Sequence, residues 1–192
     1  NRQEQDMANG LFECLHPLDK TPLIALPTDE SSCINPLSVY GLTKYFQENI
    51  LYTICFSSGI DYVALRFQNV YGPGQSLSNP YTGIISIFSN RIRQNKDIYI
   101  FEDGKESRDF VFIDDVVDSV VLALETPDRI CTTFNVGSGQ KTSVLQVADT
   151  LKNLIGSNST IEISGKYRKG DIRNNYADIH YIKEKLGYSP KM

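Results

Sequence analysis

The chain has 192 residues, 41% of them hydrophobic and 22% charged, and carries a formal net charge of −4. That composition suits an ordinary globular chain with one substantial core. The acidic balance argues against a nucleic-acid surface but leaves room for a local basic pocket. No apolar run reaches the length of a membrane span, and Asn1-Arg-Gln-Glu-Gln does not read as a signal peptide, so the expected compartment is the cytoplasm.

Residues 1–37 carry Pro17, Pro22, Pro27 and Pro36 and little periodicity. They are expected to form an irregular, insertion-like surface segment. From Val39 to Ser57 apolar residues recur at Leu42, Phe46, Ile50 and Ile54, with a neighbouring stripe at Leu51 and Cys55. This predicts a helix with a broad buried face, stopped at Gly59. Ile60 to Phe67 reads as a buried parallel strand, with a loop from Gln68 to Gly74 at its carboxyl end, where ligands bind in open α/β sheets.

Gly83 to Asn95 reads as a second helix with Ile84, Ile87, Phe88 and Ile92 inward. Asp97 to Phe101 is a predicted strand, Glu102-Asp103-Gly104 a hairpin-type turn, and Arg108 to Phe112 another strand. Asp114 and Asp115 open a helix through Leu124, at its positive end. Thr132 to Val136 and Thr160 to Ile163 read as strands, and Ile179 to Leu186 as a last helix. Ser143 to Ile155 reads as a helix opened by the capping box Ser143-Val-Leu-Gln146. Strands alternating with helices imply an α/β fold.

Several motifs have plain readings. Cys14, Cys33, Cys55 and Cys131 are unevenly spaced without a paired C-x-x-C, so neither a disulfide framework nor a complete zinc site is expected. Cys14-Leu-His16 reads as a chance pair in a loop, and no metal is expected. Asn158-Ser-Thr160 reads as a polar turn. Gly137-Ser-Gly139-Gln-Lys141-Thr142 lacks the Walker A spacing and reads as a turn into a capped helix.

Tyr40 and Lys44, four residues apart, share one helical face, and a positive charge beside a phenol favours its phenolate. Tyr181 and Lys185 have the same spacing, on a charged helix that reads as exposed surface. Spacing alone does not choose between them. Arg108, Arg168 and Arg173 are each suited to gripping a phosphate through a planar fork.

Five motifs occur in order: Asn35-Pro-x-Ser-x-Tyr40-Gly-x-x-Lys44, Leu65-Arg-Phe67-x-Asn69-Val-Tyr-Gly-Pro73-Gly, Arg108-Asp-Phe-Val-x-Ile-Asp-Asp115-Val, Phe134-Asn-Val-Gly137-Ser-Gly and Gly170-Asp171-x-Arg173-x-x-x-Ala177-Asp178. Together, from about Thr28 onward, they resemble the extended short-chain dehydrogenase/reductase family of NAD-dependent nucleotide-sugar epimerases and dehydratases, its 4-epimerases in particular. The resemblance implies a partial Rossmann-like, doubly wound sheet lacking its N-terminal glycine-rich half, plus a smaller α/β substrate-binding domain. Residues 38–75 would complete the Rossmann domain, and 76–192 would bind mainly substrate, with about 110–136 returning to the Rossmann sheet. Family members carry a glycine-rich βαβ unit and a catalytic Ser or Thr upstream of the Tyr. Neither precedes Tyr40 at the expected place, so a C-terminal fragment, inactive alone, is the expectation.

By the same resemblance, Tyr40 and Lys44 would be catalytic in a C4 inversion through a transient 4-keto sugar. Tyr40, Lys44, Phe67, Asn69 and Val70 would meet NAD. Asn69, Arg108, Arg168, Asp171 and Arg173 would hold a dTDP- or UDP-sugar, and the helix from Val39 would form a homodimer interface. A dehydratase or decarboxylase on the same scaffold, or a non-catalytic nucleotide-sugar-binding or dimerisation module, are the alternatives.

Overall fold

The computed structural model describes residues 2–76, 83–127 and 130–192. Asn1, where the expected irregular segment starts, lies outside them. The architecture is α/β, as the alternation of elements implies. Short helix α1 (Glu4–Ala8) opens the chain, and α2 (Val39–Ser58) follows a long connection. Ser38 caps α2 by accepting a hydrogen bond from the Gly41 amide at 3.0 Å. Gly59, at φ 64°, ends it in the left-handed conformation that glycine adopts without strain.

Strand β1 (Tyr62–Phe67) runs parallel to β6 (Cys131–Val136), from Tyr62 beside Cys131 to Phe67 beside Val136. The chain then switches partners. The Gln68 amide still donates to Val136, but the Asn69 amide donates to the Asp109 carbonyl. Strand β2 (Asn69–Tyr71) accordingly pairs in parallel with β5 (Phe110–Phe112). The first part of the expected Gln68–Gly74 loop is therefore strand.

A second group comprises α3 (Ile84–Arg93), β3 (Ile98–Ile100), α5 (Val144–Ile155) and β8 (Ile161–Ile163), with β3 and β8 parallel. That pairing corrects the expectation at Glu102–Gly104: the turn closes no hairpin, because the partner of β3 arrives some sixty residues later. Two-residue strands β4 (Ser107–Arg108) and β7 (Thr142–Ser143) pair antiparallel. Helix α4 (Ile113–Glu125) follows β5, and α6 (His180–Leu186) lies near the end of the chain.

Buried side chains gather in two clusters among the described residues. One holds Val111, Phe134, Val136, Ile179, Ile182 and Tyr188. The other holds Phe88, Ile92, Ile98, Ile100, Val144 and Val147. Tyr181 joins the first cluster's margin, its ring 4.9 Å from that of Phe134, so it is not the surface residue that its charged helix suggested. Ile87, expected inward, is exposed instead.

The broad buried face expected of α2 is not covered. Cys55 is buried, but Leu42, Phe46, Ile50 and Ile54 are exposed. An ion pair ties the helix to β1: Arg66 forks onto Glu48 at 2.9 and 2.7 Å. Residues 2–37 are mostly irregular, yet Met7 and Phe12 are buried and Thr28 bridges Ala177. No helix of the described residues is long and apolar enough to cross a membrane.

Candidate active site

A cleft of about 390 Å³ opens at the carboxyl ends of β2 and β3, where the start of α3, strand β4 and the loop after β8 converge. Its volume falls in the range of small-molecule sites, roughly 300–1,000 Å³. Asn69, Arg108, Arg168 and Asp171 line it, with Val70 and Ile87 on its apolar side. Four of the five expected substrate residues, distant in sequence, thus meet in one place.

Arg108 reaches the cleft because it alternates with Ser107 on β4. Ser107 points inward, fully buried, and donates to the Asn174 side chain at 2.7 Å. The Arg108 guanidinium donates to the Ser107 carbonyl at 2.7 Å. Burial lowers its pKa, while the nearby carboxylate of Asp171 acts the other way. A partly desolvated guanidinium whose bonds go mainly to a carbonyl is receptive to an anionic oxygen. Arg168 lies over the Phe101 ring, 4.6 Å from its centroid, a cation–π contact that leaves its fork open.

Arg173, the fifth expected substrate residue, is placed elsewhere. It is almost wholly buried, and its fork is taken by carboxylates: Asp103 at 2.6 and 2.9 Å, Glu13 at 2.6 Å and Glu102 at 2.9 Å. Its geometry is that of a charge at the centre of an ion cluster, behind the cleft. Those bonds outweigh burial and hold its pKa above the ordinary value. Glu102, Asp103 and Glu106 are near enough together to suggest a cation site, but two guanidiniums fill it, those of Arg173 and Arg2.

Tyr40 lies in the first turn of α2 and is 73% exposed, and the Lys44 ammonium stands 5.7 Å from its ring centroid. Lys44 also donates to Gln47 at 3.2 Å. Phe67, at the carboxyl end of β1, is about half exposed. These groups face solvent, outside the cleft lining. His16 contacts Asp19 at 3.0 Å.

The turn that follows β6 is set by a buried carboxylate. Asp109 accepts from the Ser138 amide and hydroxyl, both at 2.7 Å, from the Gly139 amide at 3.0 Å and from the Ala177 amide at 3.2 Å. A side chain at position 137 would collide with that carboxylate, so Gly137 admits the close approach. Asp109 thereby fixes Arg108 on one side and, through its own carbonyl, Asn69 on the other. In the sequence Asp109 stands out only as a letter of the Arg108-Asp-Phe-Val motif. Tyr71, Tyr99, Phe101 and Glu106 also line the cleft and were not anticipated. Tyr99 and Phe101 could have been found from the alternation Ile98, Ile100 inward and Tyr99, Phe101 outward.

Comparison with known proteins places this geometry among relatives. Residues 17–137 match the family described as NAD dependent epimerase/dehydratase. A dTDP-L-rhamnose 4-epimerase of Burkholderia thailandensis is 42% identical over 81% of this chain and 43% of its own length. A putative UDP-glucose 4-epimerase of Methanocaldococcus jannaschii is 39% identical over 87% of this chain and 53% of its own. The chain therefore spans about half the length of these curated relatives. Among solved structures, the UDP-glucose 4-epimerase of Thermotoga maritima with UDP-glucose superposes with a TM-score of 0.81 at 37% identity, over 88% of this chain and 54% of that one. The UDP-glucuronic acid 4-epimerase of Bacillus cereus with UDP-glucuronic acid and NAD gives 0.80 at 30% identity, over 88% and 52%.

Proposed function

The chain belongs to the NAD dependent epimerase/dehydratase family, and from that premise we propose that it serves an NAD-dependent nucleotide-sugar 4-epimerase acting on a dTDP- or UDP-sugar. The observation that carries this reading is the convergence of Arg108 and Arg168 with Asn69 in one cleft. Two cationic forks suit a pyrophosphate, and Asn69 offers both a donor and an acceptor to phosphate or sugar. Asp171 repels phosphate and is suited instead to a sugar or ribose hydroxyl.

For NAD, the donor chemistry on this chain fits one end of the cofactor. A phenol and an ammonium, from Tyr40 and Lys44, stand at the start of α2 and an exposed ring, Phe67, at the end of β1, with Asn69 and Val70 following it. These five residues would hold the nicotinamide riboside. Bound NAD supplies the reversible oxidation of a carbinol to a ketone. Tyr40 takes the proton of the sugar 4-hydroxyl and returns it to that oxygen once C4 is inverted. Lys44 binds ribose hydroxyls through its ammonium. Residues 38–75 belong on this account with the cofactor domain, and 76–192 mainly with the sugar domain. The exposed stripe of α2 is the homodimer surface.

The test uses the full-length enzyme with NAD and UDP- or dTDP-sugars. The product should be the C4 epimer; solvent deuterium at C5 with loss of water would mark a dehydratase instead. Replacing Tyr40→Phe should lower turnover by about 10²–10⁴-fold, the span of positioned proton transfer. Binding of the nucleoside diphosphate should be retained. Turnover at the unaltered rate would refute the assignment.

A further inference from the structure

We propose that Arg2 is a positioning residue for the nucleotide-sugar cleft, holding in place the far end of the loop that carries Arg168 and Asp171. The proposal rests on the nucleotide-sugar reading above. The loop leaves β8 at Ser164 and rejoins the buried structure at Arg173. Its near end is anchored to backbone: the Ser164 amide donates to Ile100 at 2.8 Å and the Glu102 amide to Lys166 at 2.7 Å. Its crest bears Arg168, whose guanidinium lies over Phe101.

The far end is tied by a residue from the other end of the sequence. The Arg2 guanidinium donates to the Asp171 carbonyl at 2.7 Å. Its other terminal nitrogen donates to both Glu102 carboxylate oxygens, at 2.7 and 2.8 Å, and to the Phe12 carbonyl at 3.1 Å. The side chain is 6% exposed and its Glu102 partner 5%. Glu102 is also the residue whose backbone fixes the near end of the loop. One buried carboxylate therefore relates both ends, through its own backbone and through Arg2.

The link to the cleft is direct. Asp171 lines it beside Arg108 and Arg168, and its charge acts on the Arg108 guanidinium. Lys169 and Glu4 make a second tie at 2.9 Å, but both are largely exposed, and such pairs hold little. A buried, charge-assisted fork of several bonds is the element able to fix geometry.

The experiment measures UDP and dTDP binding by calorimetry, and KM and kcat for the nucleotide sugar, on the full-length enzyme. Arg2→Ala should weaken nucleotide binding and raise KM by about tenfold, within the loss that an ångström-scale misplacement causes. Its kcat at saturation should stay within about twofold of the unaltered enzyme, as for a lost interaction uniform between ground and transition states. Arg2→Lys, which keeps the charge on Glu102 but loses the fork, should recover part of the affinity, and Arg2→Gln less. Glu4→Gln should leave both parameters unchanged. If Arg2→Ala does not fold, the ranking of unaltered, Lys and Gln enzymes carries the test. Equal affinities across the series, or a fall in kcat at constant KM, would overturn the proposal. Failure of the unaltered enzyme to bind UDP or dTDP would overturn the nucleotide-sugar reading itself, and this inference with it.

Discussion

At the scale of single residues, Arg173 and Glu106 form an unequal pair. Arg173 satisfies three carboxylates at hydrogen-bond distance, whereas Glu106 stands 3.8 Å from it and keeps one buried oxygen without a hydrogen bond. Arg173→Met should therefore cost about 3 kcal/mol in urea unfolding, because it strips the counter-charge from the half-buried Asp103 and Glu13 and from Glu106, and leaves Glu102 with Arg2 alone. Glu106→Gln should change stability by less than about 1 kcal/mol at neutral pH, since it removes a poorly satisfied charge. Burial raises the Glu106 pKa. The folded chain then binds that proton at a pH where the unfolded chain has released it, so this group favours folding as pH falls from neutral toward the carboxylate range. Asp103 has the opposite sign: burial pushes it up, but its Arg173 bonds and a backbone amide outweigh this and lower it. Its contribution is present above the ordinary carboxylate pKa and is lost as pH falls through the lowered value. Stability profiles of the unaltered chain and Glu106→Gln should therefore diverge on mild acidification, with the rise missing from the variant. The sequence showed Arg173 as a free fork because its neutralising partners, Glu13, Glu102 and Asp103, lie some seventy or more residues away. Arg108, Arg168 and Asn69 were legible from their motifs, and Arg2 carried no signal at all.

At the scale of elements, local chemistry was readable wherever the partner was near in sequence. Ser143 and Gln146 close a capping box, with the Ser143 side chain accepting from the Gln146 amide at 3.1 Å and Gln146 accepting from the Ser143 amide at 2.8 Å. Ser143→Ala should cost about 1 kcal/mol, the usual loss at such a cap. Thermal unfolding would record it, and an unchanged midpoint would show the box to be redundant. Strand β2 and the parallel partner of β3 were missed because pairing across crossovers has no local mark. The α2 pattern was read correctly as apolar and helical, but periodicity reports which face is apolar, not what covers it.

At the scale of the molecule, alternation of elements was enough to give α/β, and the ordered motifs enough to give the family. Division into two buried clusters was not, since nothing within the sequence of α5 or α6 says which strands each packs against. The exposed stripe of α2 has a consequence for assembly. The intact enzyme should sediment as a dimer, and Phe46→Glu should shift it toward monomer; a monomer at all concentrations would remove that role from the helix. A different consequence belongs to the parallel pairing of β1. Among the described residues its partner is β6, which begins only at Cys131. At about 5–20 residues per second on the ribosome, the finished β1 edge waits for several seconds before that partner is made. Biogenesis of this protein therefore includes a period in which the edge of β1 that takes β6 is complete and still open, and its yield in a cell will depend on what shields that edge in the meantime.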